Sequence, residues 1–168
     1  MDGTIVILEN SGNDGLMRYD DKGNFIEYVG PRLHSPSDVL VCMNGDVVII
    51  DKKGLHLFDA SLKFTKTLTS EFAGECAGLT EDDQGNILTL HIKQSKSHGQ
   101  FMSKKTTSII FLDRESGERK KIFDLDDFIS EAIEDLGPGH PAELLMSEIC
   151  SIKFKLGKIY ITGTSKVN

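Results

Sequence analysis

Five histidines, three cysteines and a scatter of carboxylates are the residues here that could carry chemistry, and their spacing decides which kind. His91 and His98 are too loosely spaced, across a polar stretch, to read as a zinc pair, and His34, His56 and His140 stand singly. Cys42, Cys76 and Cys150 are far apart and lie inside apolar stretches. They support neither a disulfide framework nor a CxxC zinc site, and read as buried thiols in a reducing compartment. No GxGxxG or GxxxxGK[ST] loop offers a phosphate cradle, and no GxSxG elbow offers a serine nucleophile. What remains is charge. The run KQSKSHGQFMSKKT, Lys93 to Thr106, is polar and basic, and carries Lys93, Lys96, Lys104 and Lys105 with one aromatic, Phe101. Arg32, His34, Lys52 and Lys53 add to the basic set, while Asp38, Glu75 and Glu148 stand at the starts of apolar segments. Such residues suit binding: cations attract carboxylates or phosphates, and carboxylates hold a cation or a partner's basic side chain. Neither catalysis nor a cofactor is expected of this segment.

The background is that of a globular chain. Its 168 residues are 39% hydrophobic and 27% charged, enough to bury one core, and default to one soluble domain. A net charge of −7 argues against non-specific nucleic-acid binding by the chain as a whole, although a local basic face remains compatible with it. No apolar run reaches the ~20 residues that cross a bilayer, and MDGTIVILEN lacks the basic start of a signal peptide. The chain reads as cytoplasmic, with no membrane partner.

The elements that must position these residues show themselves as a repeat. DGTIVILEN at Asp2, NGDVVIIDK at Asn44, QGNILTLHI at Gln84 and LGKIYITGT at Leu156 each open on a turn glycine and run into a β-branched strand. Asn-Gly is the strongest short hairpin signal, because a type I′ turn needs positive φ at both central residues. SDVLVCM, CAGLTED and CSIKFK supply the strands before three of these turns. GLMRYDDKGNFIEYV, GLHLFDASLKFTKTL and TSIIFLDRESGERKKIFDL then supply a third and a fourth strand. Asp20, Asp59 and Asp113 sit where each third strand ends, placed to cap the following turn through backbone N–H groups. Four antiparallel strands recur at close to the ~40–45 residue period of a propeller blade. After the third unit, Phe128, Ile129, Ala132, Ile133 and Leu136 fall at helical spacing, with acids at the first turn and Gly137-Pro138 as the stop.

The stretch LHSPSDVLVCMNGDVVIIDKKGLHLFDASLKF resembles the NHL repeat, with a proline before the innermost strand, a second strand ending in Asp51 and a third ending Phe-Asp. GECAGLTEDDQGNILTLHI with TSIIFLDRESGERKKIFDL looks like the same repeat with a longer central loop, as in the tripartite-motif NHL proteins. Glu9 or Asn10, His91 and Gly163 stand where Asp51 stands in the second unit. The expected fold is all-β, an NHL-type β-propeller fragment of four-stranded blades. Residues 1–30 are an incomplete blade, 31–70 a blade, and 71–125 a blade with a long loop over 93–106. An amphipathic helix is inserted over 126–146, and 147–168 begin a further blade. Such a piece implies remaining blades in a longer chain.

Propeller geometry sorts loops onto two ends. Arg32, His34, Lys52, Lys53, Lys93, Lys96, Lys104 and Lys105 fall on one end, and Asp2, Asp20, Asp21, Asp82 and Asp83 on the other. Glu75 and Glu148, with Asp38 slightly further along, fall near a shared channel rim. The resemblance implies ligand binding on the basic end, in a parent similar to tripartite-motif ubiquitin ligases whose RING and B-box domains lie elsewhere. A target protein is the first expected partner. Single-stranded RNA is the alternative, with Phe101 and Phe72 the aromatics for stacking. A metal-dependent, lactonase-like propeller enzyme is the third reading, with Glu75, Glu148 and Asp38 as its first suspects.

Overall fold

The computed structural model describes residues 5–9, 15–70, 76–95, 104–125 and 148–164, and every regular element among them is a β-strand. The described residues are all-β, built from antiparallel sheets. The helix expected over 126–146 lies outside the described residues. Two compact units divide the chain, Met1–Gly74 with Glu115–Gly117, and Glu75–Arg114 with Glu118–Asn168.

In the first unit, β1 (Ile5–Glu9), β2 (Gly15–Tyr19) and β3 (Phe25–Val29) form one sheet in chain order. β4 (Asp38–Val41), β5 (Val47–Asp51), β6 (Gly54–Phe58) and β7 (Phe64–Thr69) form a second. Val47 pairs with Phe58 and Ile49 with His56, so these four side chains share a face, while Val48, Ile50, Leu55 and Leu57 share the other. Both sets are buried, which is why VVII reads as a continuous apolar run with no polar alternation. Val47, Ile49 and Phe58 pack with Leu8, Leu16 and Val29 of the three-stranded sheet, and Leu33 and Leu62 complete the cluster. The chain leaves β3 directly over Phe58. Gly30 sits there at φ 75°, and a Cβ would run into the Phe58 ring, so only glycine fits.

One five-residue loop recurs four times, as Asp20–Asn24, Cys42–Asp46, Asp59–Lys63 and Asp82–Asn86. In each, the first residue's N–H donates to the fifth residue's carbonyl, and the fourth residue's N–H donates back to the first residue's carbonyl. The fourth residue is left-handed: Gly23 at φ 82°, Gly45 at 90°, Leu62 at 67° and Gly85 at 81°. This is a type I turn closed by one left-handed residue, and it replaces the type I′ turn that Asn44-Gly45 suggests. The primed geometry does occur at Leu156 and Gly157, with φ 53° and 71°. Asp20 Oδ1 accepts from the N–H of Lys22 and Asn24 at 2.9 and 2.7 Å, and Asp59 Oδ1 from Ser61 and Lys63 at 2.9 and 3.0 Å. The Asn24 amide holds the Asp20 carboxyl below its ordinary range, and the Ser61 hydroxyl and Lys63 N–H do the same for Asp59. Asp82 makes the same bonds to Gln84 and Asn86. Asp113, the third expected cap, ion-pairs with Lys120 at 2.9 Å.

In the second unit, β8 (Cys76–Glu81), β9 (Ile87–Ser95), β10 (Lys104–Leu112) and β11 (Arg119–Asp124) form a four-stranded sheet. β12 (Glu148–Lys155) and β13 (Lys158–Thr164) form a hairpin. Leu88, Leu90, Ile109 and Ile152 anchor the core, with Phe111, Phe154, Ile159 and Ile161 against it. β8 and β12 lie side by side: Gly78 leaves room for Ile152, and the Phe154 N–H donates to Thr80 Oγ1 at 2.9 Å. Both matches advance in the same sense, so the two strands run parallel, and the loop at Asp82–Asn86 and the turn at Leu156–Gly157 emerge at one end. Pairing of β9 with β10 continues through Thr106 opposite Lys93 to Lys104 opposite Ser95. The loop expected over 93–106 is therefore shorter, because the β-branched Ile92, Thr106 and Thr107 prolong both strands.

Candidate functional site

Arg32, His34, Lys52 and Lys53 of the first unit lie where the β5–β6 turn meets the connection from β3 to β4. Asp51 ends β5 with its carboxylate pointing inward, and the residue is 2% exposed. A buried carboxylate needs donors, and four converge on this one. Oδ2 accepts from the His34 N–H at 2.8 Å, while Oδ1 accepts from the Lys53 N–H at 2.6 Å and the Gly54 N–H at 3.1 Å. Oδ1 also meets His56 Nε2 at 2.8 Å. The Lys52 N–H donates to the His34 carbonyl at 2.8 Å, so turn and connection are stitched from both sides. Burial alone would raise the Asp51 carboxyl. The bonds from His56, Lys53 and His34 outweigh it and hold the group below its ordinary range.

His56 is itself buried, on β6, and its Nδ1 lies 3.1 Å from Thr67 Oγ1 on β7. An ionised carboxylate only accepts, so Nε2 carries a proton toward Asp51. One side chain thus fixes the backbone of two segments and the orientation of a ring. Around this network, Arg32, Lys52 and Lys53 are exposed and His34 is half-buried. A shallow depression of ≈ 310 Å³, lined in part by Tyr28, Val29, Pro31 and Arg32, opens beside them. Asp38 opens β4 at the same end, half-buried, with Oδ1 accepting the Val39 N–H at 2.8 Å. The opposite end of the unit carries Asp20, Asp21, Asp46 and Asp59 with Lys22 and Lys63.

The structure therefore brings Arg32, His34, Lys52, Lys53 and Asp38 together. Lys93, Lys104 and Lys105 belong to the second unit, on paired stretches of β9 and β10, and Glu148 opens β12 opposite Thr164. Lys96, Glu75, Phe72 and Phe101 lie outside the described residues. Among the described residues no three His, Cys, Asp or Glu side chains assemble a metal site, and no helix is long and apolar enough to cross a membrane. Sequence reasoning passed over the Asp51, His56 and Thr67 series. The available signal was a polar residue at an inward position of an otherwise apolar strand, as His56 is in GLHLF. Compared with known proteins, the chain matches no family model and no curated sequence.

Proposed function

We propose that the chain is a segment of an NHL-type β-propeller that recruits a target protein through the basic end of its first unit, within a parent resembling tripartite-motif ubiquitin ligases. Three features support the propeller: sheets packed face to face in the first unit, parallel neighbouring strands β8 and β12, and one loop recurring at successive hairpins. A single observation carries the recruitment reading. Asp51 ties down the backbone of His34, Lys53 and Gly54, so that Lys52 and Lys53 are displayed from a fixed platform. Rigid display lowers the ordering cost of binding and gives recognition without chemistry. Charge complementarity makes the target an acidic segment.

Single-stranded RNA is the second reading, because Tyr28 is 57% exposed close to Arg32 and bases need a ring to stack on. Titration of the chain with an acidic peptide and with a short single-stranded RNA, at low and moderate salt, separates the two. The protein-recruitment reading expects peptide binding that Lys52→Glu and Lys53→Glu abolish. RNA affinity falling steeply with salt and lost in Lys52→Ala with Lys53→Ala would overturn it.

A further inference from the structure

His56 stands between a surface hydroxyl and a buried carboxylate. Thr67 is exposed on β7, the outer strand of its sheet, while His56 and Asp51 behind it are 8% and 2% exposed. The register shift between Leu55 and His56 sets Thr67 directly opposite the ring. From there Oγ1 reaches Nδ1 at 3.1 Å, and Nε2 reaches Asp51 Oδ1 at 2.8 Å. With a proton on Nε2 facing Asp51, the neutral form of the ring turns its Nδ1 lone pair on the Thr67 hydroxyl. A hydroxyl, an imidazole and a buried carboxylate in series are the parts that turn a weak alcohol into a nucleophile, and they are recognised by geometry and not by chain order.

We propose that Thr67 is an activated hydroxyl, acylated selectively by activated carboxylic esters, with His56 as its general base and Asp51 as the residue that positions the ring. In the step, Thr67 Oγ1 bonds to the ester carbonyl carbon while its proton passes to His56 Nδ1. The bond from that carbon to the leaving oxygen then breaks. With 4-nitrophenyl acetate the products are O-acetyl-Thr67 and 4-nitrophenolate, and His56 returns its proton to water. This reading is independent of recruitment at the basic end, since it needs no contact of Lys52 or Lys53 with a partner.

The same strand supplies its own control. Thr65 is also exposed, two positions away, and its Oγ1 donates to the Lys63 carbonyl at 3.5 Å where that of Thr67 meets an imidazole. Brief exposure of the whole chain to 4-nitrophenyl acetate, followed by mass-spectrometric mapping, reads the acetyl ratio of Thr67 to Thr65. A ratio of about 100 is expected, the lower range of general-base assistance. It should fall to about 1 in His56→Gln and persist in Thr67→Ser. Should His56→Gln fail to fold, the wild-type chain in concentrated urea serves instead, and its ratio should likewise fall to about 1. A ratio near 1 in the native chain overturns the proposal. So does a preference that survives urea or His56→Gln, or an acetyl group found on His56 instead of Thr67.

Discussion

Replacing Asp51 by alanine removes the acceptor for His34 N–H, Lys53 N–H, Gly54 N–H and His56 Nε2 at once. These four do not count equally. Lys53 is exposed and His34 half-buried, so water can take over their amides, whereas Gly54 and His56 are buried and keep an unsatisfied donor. A hydrogen bond to a charged group is worth about 1.5–3 kcal/mol, so two that cannot be replaced cost about 3–6 kcal/mol. With a urea slope of about 1–3 kcal/mol per molar, the unfolding midpoint should fall by more than about 1 M, or the variant should not fold. Asp51→Asn is the gentler probe: its amide oxygen still accepts, but its NH₂ group confronts a donor, and about 1.5–3 kcal/mol is expected. pH supplies a further check. Because the folded carboxyl is held below its ordinary value, it stabilises the fold fully above about pH 4 and loses that contribution as pH falls through the lowered value. The gap between wild type and Asp51→Asn should close in acid, as pH falls through that lowered value. A gap under about 0.5 kcal/mol, the size of an ordinary surface substitution, or one that widens in acid, refutes the reasoning.

Other expectations follow from the loops and the packing. Gly30→Ala places a methyl group into Phe58 at a left-handed φ, and urea titration should show a loss of more than about 2 kcal/mol, combining about 1–2 for the backbone with the steric term. Leu62→Gly tests two opposed effects at the one loop lacking a glycine at its left-handed position. Relief of the backbone returns about 1 kcal/mol, but Leu62 is 9% exposed within the core cluster and its removal costs about 2–5 kcal/mol, so a net loss is expected, and a net gain would contradict the packing assigned to it.

The strands were legible because their causes are local. Turn glycines Gly45, Gly85 and Gly157 each mark a hairpin, and the aspartates at 20 and 59 cap their loops as their positions suggest. Turn type was less legible. Asn44-Gly45 is compatible with a primed turn, and only the Cys42 to Asp46 bonds choose the five-residue loop. Leu62 hides a fourth copy of that loop because leucine rarely adopts a left-handed φ, and burial holds it there. The Asp51 network was illegible for another reason. His56 and Thr67 meet only through a register shift between β6 and β7, and no count of residue spacing predicts where such a bulge falls. Lys93, Lys104 and Lys105 look like loop residues by composition, yet all three lie within the strand pairing.

One carboxylate, Asp51, fixes the platform that displays Lys52 and Lys53. Amide hydrogen exchange at His34, Lys53 and Gly54, compared between wild type and Asp51→Asn under native conditions, reads that directly. Strong protection at all three sites in the wild type, reduced together in the variant while Val48 and Ile49 stay protected, is the predicted result. Fast exchange at Lys53 and Gly54 in the wild type, or protection indifferent to the substitution, would contradict it.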